Sequence, residues 1–266
     1  MAARIDPYRH VGRNYIVTGG GSGIGAATAL RLAAEGAAVT VADVRPAIAE
    51  ETAAAIRAAG GKALAVACDV AREEDVAAMI ESSVAAFGPP DGLFANAGTA
   101  GSGWIHETAL ADWNRIIAIN LTGAFLCAKH VLPHFLARGS GVFVTTGSIA
   151  SVIIGGGGSA ASYAASKGGL LQLTRQVAVD YGAMGVRAVC VCPGAVKTNL
   201  PQHAAEDRQG QLTPRGEPLP RNRHKTPLPR AAEPDEIGSA VSFLFSDDAS
   251  FITGCAFFVD GGLTSI

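Results

Sequence analysis

Short apolar runs alternate along the chain with longer stretches in which apolar positions recur every three or four residues. This is the pattern of repeated βα units feeding a parallel sheet. The runs 14–18, 37–43, 62–68, 92–95, 142–145, 186–192 and 256–259 predict seven strands. Helical periodicity predicts helices over 24–35, 47–59, 73–87, 113–137, 162–181 and 234–245, the fourth as one long element. Right-handed crossovers between parallel strands then give one α/β domain over residues 1–266, a doubly wound sheet with helices on both faces and an N-terminal arm over 1–12.

One segment breaks this rhythm. Residues 199–230 contain six of the 13 prolines, and six Lys and Arg against three Asp and Glu, with neither strand nor long-helix periodicity. An irregular stretch of this length in a compact domain reads as a substrate-binding loop or lid, its arginines keeping it solvated.

Composition narrows the picture. A net charge of -2 offers no electrostatic footprint for nucleic acid or an anionic membrane surface, so neither is expected as a partner. Residues 139–166 carry no charge but hold seven glycines among many Ser and Thr, which is no membrane span. The first dozen residues lack the apolar core of a secretory signal, so a cytoplasmic protein is expected. The five cysteines are scattered without a C-x-x-C, which reads as reduced, buried thiols and no metal site. His130 and His134 have helical metal-ligand spacing but no third ligand nearby. Glycine is the outlier: there are 33, where average usage gives about 19, so the backbone itself has special work to do.

Much of that work falls after the first strand, in Thr18-Gly19-Gly20-Gly21-Ser22-Gly23-Ile24-Gly25, immediately before an alanine-rich helix. Glycines let the backbone turn sharply and approach a pyrophosphate, and the helix N-terminus offers free N–H groups. Asp43 ends the second strand 18 residues beyond Gly25. A carboxylate there accepts hydrogen bonds from adenosine ribose hydroxyls and repels a 2'-phosphate, which points to NAD in preference to NADP.

Further along, Tyr163-Ala164-Ala165-Ser166-Lys167 sets a phenol and an ammonium at i and i+4 on one helix face. A phenol with a pKa near 10 is too weak a base at neutral pH, whereas a neighbouring cation favours the phenolate. Taken alone, such a pair is usually a solvated surface contact.

Together, T-G-x-x-x-G-I-G and Y-x-x-x-K make the chain similar to the short-chain dehydrogenase/reductase family, from about Gly12 to Gly262. The resemblance implies a Rossmann-type fold, a nicotinamide cofactor and a homotetramer. It implies that Asp69, followed by Val70, lies beside the adenine, and that Asn96-Ala97-Gly98 lines the cofactor. Pro193-Gly194-Ala195-Val196-Lys197-Thr198 resembles the family's P-G-x-x-x-T, which meets the carboxamide and phosphate; Asp260-Gly261-Gly262 is a structural turn. Tyr163 and Lys167 become the catalytic pair, Asn120 the helix asparagine that holds a water linking the lysine to solvent, and Ser148 the serine that hydrogen-bonds the substrate oxygen.

Around Ser148 the chain departs from the family. Thr145 and Gly147 replace a usual Asn and Ser, and Ser148 precedes Tyr163 by 15 residues, about two more than is common. The extra length falls in Gly155-Gly156-Gly157-Gly158, and Ser151 is a second candidate for the catalytic serine.

The implied reaction interconverts a secondary alcohol and a ketone by hydride transfer. The alternatives are a redox-silent NAD-binding regulator and an epimerase or dehydratase on the same scaffold. Trp104, His106 and Trp113 are candidates for the pocket edge, with ordinary packing the competing reading, and Cys190 and Cys192 share one face of a strand as buried small hydrophobes.

Overall fold

The computed structural model describes residues 6–101, 103–154, 161–198 and 226–265. Residues 155–160 and most of the basic, Pro-rich segment, 199–225, lie outside it. Seven parallel strands form one sheet: β1 (Asn14–Thr18), β2 (Ala38–Asp43), β3 (Lys62–Ala67), β4 (Gly92–Ala95), β5 (Gly141–Thr146), β6 (Val186–Pro193) and β7 (Ala256–Val259), in the order β3-β2-β1-β4-β5-β6-β7. The order reverses between β1 and β4, which pair in parallel through Tyr15↔Gly92 and Val17↔Phe94. The carboxyl ends of strands at such a reversal leave a crevice that neither neighbouring crossover covers.

Alternation along each strand feeds two cores. Tyr15 and Val17 of β1, Val39 and Val41 of β2, and Phe94 of β4 pack against α1 (Gly23–Ala34), α2 (Pro46–Ala58) and α7 (Pro234–Phe245). Ile16, Leu93, Phe143 and Ala188 face the other way, onto α3 (Glu73–Phe87), α5 (Gly123–Arg138) and α6 (Ala161–Tyr181). Both faces are therefore covered, as an all-parallel sheet requires.

The single helix expected over 113–137 is a correction. It is three pieces: α4 (Leu110–Ile117), a π-helical turn at Ala118–Thr122, then α5. The π turn inserts a residue into the helical register and aims Asn120 inward, where it is 1% exposed. Leu110–Arg138 is apolar and long enough to cross a membrane by length alone. However, Ala124, Cys127, Val131 and Phe135 belong to the core beneath the sheet.

Two further features fix the frame. His10 is buried in a polar network with Tyr15, Ser242 and Glu35, and Arg31 donates to Glu35 at 2.7 Å, so the N-terminal arm is bound to α1 and α7. Beyond β6, Val196 and Ala232 form an isolated parallel bridge. Lys197 N–H donates to Ala232 O at 2.9 Å and Ala232 N–H to Ala195 O at 2.8 Å.

Candidate active site

A cleft of about 560 Å³ opens over the carboxyl ends of β1, β2, β4, β5 and β6. One end is the glycine turn. Gly19 and Gly23 have positive φ, 61° and 53°. A Cβ on Gly25 would stand 2.0 Å from Gly19 O, so main chain bars a side chain there, and one on Gly21 would stand 2.4 Å from Ile48 Cγ1 and displace that side chain. The Ser22 hydroxyl makes no cap hydrogen bond at the start of α1, whose first N–H groups lie beside the cleft with their partial positive charge. A cradle so bare of side chains, closed by a helix N-terminus, fits a dinucleotide pyrophosphate.

Asp43 closes the same end. The residue is 6% exposed, and its carboxylate accepts from Gly21 N–H at 3.2 Å and from Arg45 N–H at 3.0 Å. These bonds fix it at the rim of the cleft. Arg45 Nε lies 3.8 Å away on an exposed side chain. Asp69 and Val70 line the next stretch, although Asp69 Oδ1 is engaged by Ala71 N–H at 3.0 Å in a local turn.

The middle of the cleft is braced by Asn96. Its Nδ2 donates to Thr18 O at 3.0 Å, and its Oδ1 accepts from Thr146 Oγ1 at 3.0 Å, so the ends of β1 and β5 are tied through one side chain. Thr18 Oγ1 accepts in turn from Asn96 N–H and Ala97 N–H. The turn at Asn96-Ala97-Gly98 is thereby locked against the first strand.

At the far wall stand Ser148, Tyr163 and Lys167. Lys167 is 4% exposed, and its Nζ donates to Thr146 O at 2.6 Å and lies 5.6 Å from the Tyr163 ring centroid. Burial pulls its pKa down to about 8. Burial also raises the Tyr163 pKa above the ordinary phenol value, while a hydrogen bond with Ser148 opposes that rise. Ser148 is thus a group on this wall that acts against the burial-driven rise.

Ser148 Oγ lies in the cleft and also accepts from Ala150 N–H at 3.1 Å. Ser151, the competing candidate, accepts from Ser148 N–H at 3.2 Å and donates to Lys167 O at 2.9 Å. Its single hydroxyl proton is already placed. The geometry therefore favours Ser148. Asn120 sits behind the wall: Oδ1 accepts from Thr99 N–H at 2.8 Å, and Nδ2 donates to Thr99 O at 2.9 Å and Ser166 Oγ at 3.1 Å. Both amide protons are used, so its side chain holds the 99 loop and α6 in place and has only acceptor capacity left.

Pro193, Gly194, Val196 and Thr198 line the cleft as expected, with Ser22, Gly23, Ile24, Asn96, Ala97 and Gly98, whereas Gly21, Gly25 and Asn120 are not among its lining residues. Thr99, Thr146 and Arg45 also line it. Thr146 acts through a main-chain carbonyl, which leaves no residue signature. Trp104, His106 and Trp113 are not among its lining residues. His130 is spent on Glu73, at 2.9 Å.

Comparison with known proteins agrees with this architecture. A family model described as Enoyl-(Acyl carrier protein) reductase matches residues 19–264. The chain is 43% identical to cis-4-hydroxycyclohexanecarboxylate dehydrogenase of Sinomonas cyclohexanicum, over 94% of this chain and 96% of that one. It is 41% identical to 2-(S)-hydroxypropyl-CoM dehydrogenase 3 of Xanthobacter autotrophicus, with the same coverage. The crystal structure of 3-ketoacyl-(acyl-carrier-protein) reductase from Brucella melitensis, complexed with NADH, superposes with a TM-score of 0.84 at 31% identity, covering 96% of this chain and 99% of that one.

Proposed function

The chain belongs to the short-chain dehydrogenase/reductase family, and from that premise we propose that it is an oxidoreductase interconverting a secondary alcohol and a ketone, with NAD preferred over NADP. The carrying observation is convergence: Ser148, Tyr163 and Lys167 meet on one wall of a cleft whose opposite end is the glycine cradle and Asp43. A regulator that only bound the nucleotide would have no use for that wall. Relatives named as dehydrogenases of cis-4-hydroxycyclohexanecarboxylate and of 2-(S)-hydroxypropyl-CoM support a CH–OH donor.

In the oxidative direction, Ser148 holds the alcohol oxygen and Tyr163, as phenolate, removes its proton. When bound, the nicotinamide cofactor supplies the acceptor for the hydride that leaves the same carbon, and its positive ring adds to the forces favouring phenolate. Lys167 holds the nicotinamide ribose hydroxyls, and Asn120 fixes the helix and loop that flank it. In reduction Tyr163 returns the proton. Asp43 favours NAD because a 2'-phosphate beside a fixed carboxylate is repelled. The tetramer implied by the resemblance is supported by apolar side chains exposed on α5 and α6, Phe125, Leu136 and Val179; light scattering tests it.

The decisive experiment is Tyr163→Phe assayed with a panel of secondary alcohols. NAD binding should persist while turnover falls at least about 100-fold. Turnover equal to the parent enzyme would overturn the reading.

A further inference from the structure

Position 147, where the family pattern carries a serine, is glycine for a steric reason. A Cβ there would stand 2.5 Å from Cys190 Sγ, 2.9 Å from Ser151 Oγ and 3.0 Å from Cys192 Sγ. Both thiols are fully buried, their sulfurs 3.9 Å apart, and pack with Leu171 of α6. The space a side chain at 147 would take is filled from β6 and from the turn that follows Ser148.

The Ser151 hydroxyl is the one polar group in that filling that reaches both catalytic segments. It accepts from Ser148 N–H at 3.2 Å and donates to Lys167 O at 2.9 Å. Ser148 Oγ and Ser151 Oγ together close a capping box over the short helix Ile149–Ser151. A single oxygen therefore joins the main chain of the serine to the main chain of the lysine, on different elements.

We propose that Ser151 is a positioning residue, which takes over in space from the missing serine at 147 and keeps the Ser148 hydroxyl on the Tyr163 phenol. This rests on the roles given above to Ser148, Tyr163 and Lys167. Removing the Ser151 hydroxyl unpairs Ser148 N–H and frees the turn. Ser148 then spends less time bonded to Tyr163, and the bond that opposes the burial-driven rise in the phenol pKa is weakened. A purely structural role would lower melting temperature without touching the pH profile.

The test compares Ser151→Ala, Ser151→Thr and Ser148→Ala in steady-state oxidation of a secondary alcohol, with NAD affinity measured separately by fluorescence titration. Ser151→Ala should lower kcat about tenfold and move the midpoint of its pH profile upward, with NAD affinity changed less than twofold. Ser151→Thr, which keeps the hydroxyl, should restore most of the rate. An unchanged kcat and pH profile in Ser151→Ala, or an equal loss in Ser151→Thr, overturns the proposal. Full turnover in Ser148→Ala would instead remove the functional reading beneath it, so the two failures are distinguishable.

Discussion

The Lys167 ammonium donates to the Thr146 carbonyl from a position that is 4% exposed, and burial holds its pKa at about 8 against an ordinary 10.5. The unfolded chain binds that proton more tightly, so the native state carries a penalty that is full below pH 8 and fades as pH rises from about 8 to 10.5. Lys167→Met, which keeps the apolar stem, should raise stability at pH 7 by about 1–2 kcal/mol after loss of the Thr146 hydrogen bond, and abolish turnover. Denaturant titrations at pH 7 and pH 10 check this, because the advantage must shrink at the higher pH. A variant no more stable than the parent at pH 7 would contradict it.

Asp43 and Arg45 make cofactor preference adjustable. Asp43→Ser removes the repelling carboxylate and leaves the exposed Arg45 side chain, now 3.8 Å from it, free to meet a 2'-phosphate. The ratio of kcat/KM with NADP to that with NAD should rise at least about 100-fold, since it gains an attraction as well as losing a repulsion. Adding Arg45→Ala should return part of that gain. A ratio unmoved by Asp43→Ser would show that discrimination lies elsewhere.

His10 gives the fold an acid limit. Burial, opposed in part by Glu35, depresses its pKa from 6.5 to about 4, with Arg9 and Arg13 acting in the same direction as burial. A depressed pKa means stability that is complete above pH 6.5 and lost as pH falls toward 4. The loss attributable to this residue is about 3 kcal/mol. His10→Gln, which stays neutral, should flatten stability between pH 6.5 and 4 relative to the parent; identical slopes would refute the assignment.

Gly25→Ala tests the cradle. Its Cβ would meet Gly19 O at 2.0 Å and Asn96 Nδ2 at 2.7 Å, so main chain must move. The expected cost is about 2–3 kcal/mol of stability with loss of measurable NAD binding by calorimetry. Retained affinity would mean that the turn is looser than its contacts imply.

What could be read from sequence was set by short-range rules. The strand alternation, the glycine turn, Asp43 and the Tyr163/Lys167 spacing each depend on neighbours within one element, and the structure puts those residues on one cleft. The π turn at Asn120 could not be read, because a single extra residue in a helix leaves its apolar period almost undisturbed. The family pattern puts Ser148 ahead of Ser151, but what Ser151 bonds to emerges only once the turn is folded and Lys167 O is in reach. The Thr146 contact is made by main chain, and the partner of His130 lies 57 residues away on α3. Where chemistry depends on which atom faces which element, residue type is silent.

The parallel bridge between Val196 and Ala232 clamps the chain on either side of the basic, Pro-rich segment. The chain leaves for residues 199–225 and returns at adjacent points, so both ends of that stretch are tied to the frame that carries the site. Exchanging residues 199–225 for the corresponding segment of a relative leaves Thr198 and both sides of the bridge in place, and assaying the product against a panel of secondary alcohols tests whether that segment sets the substrate range.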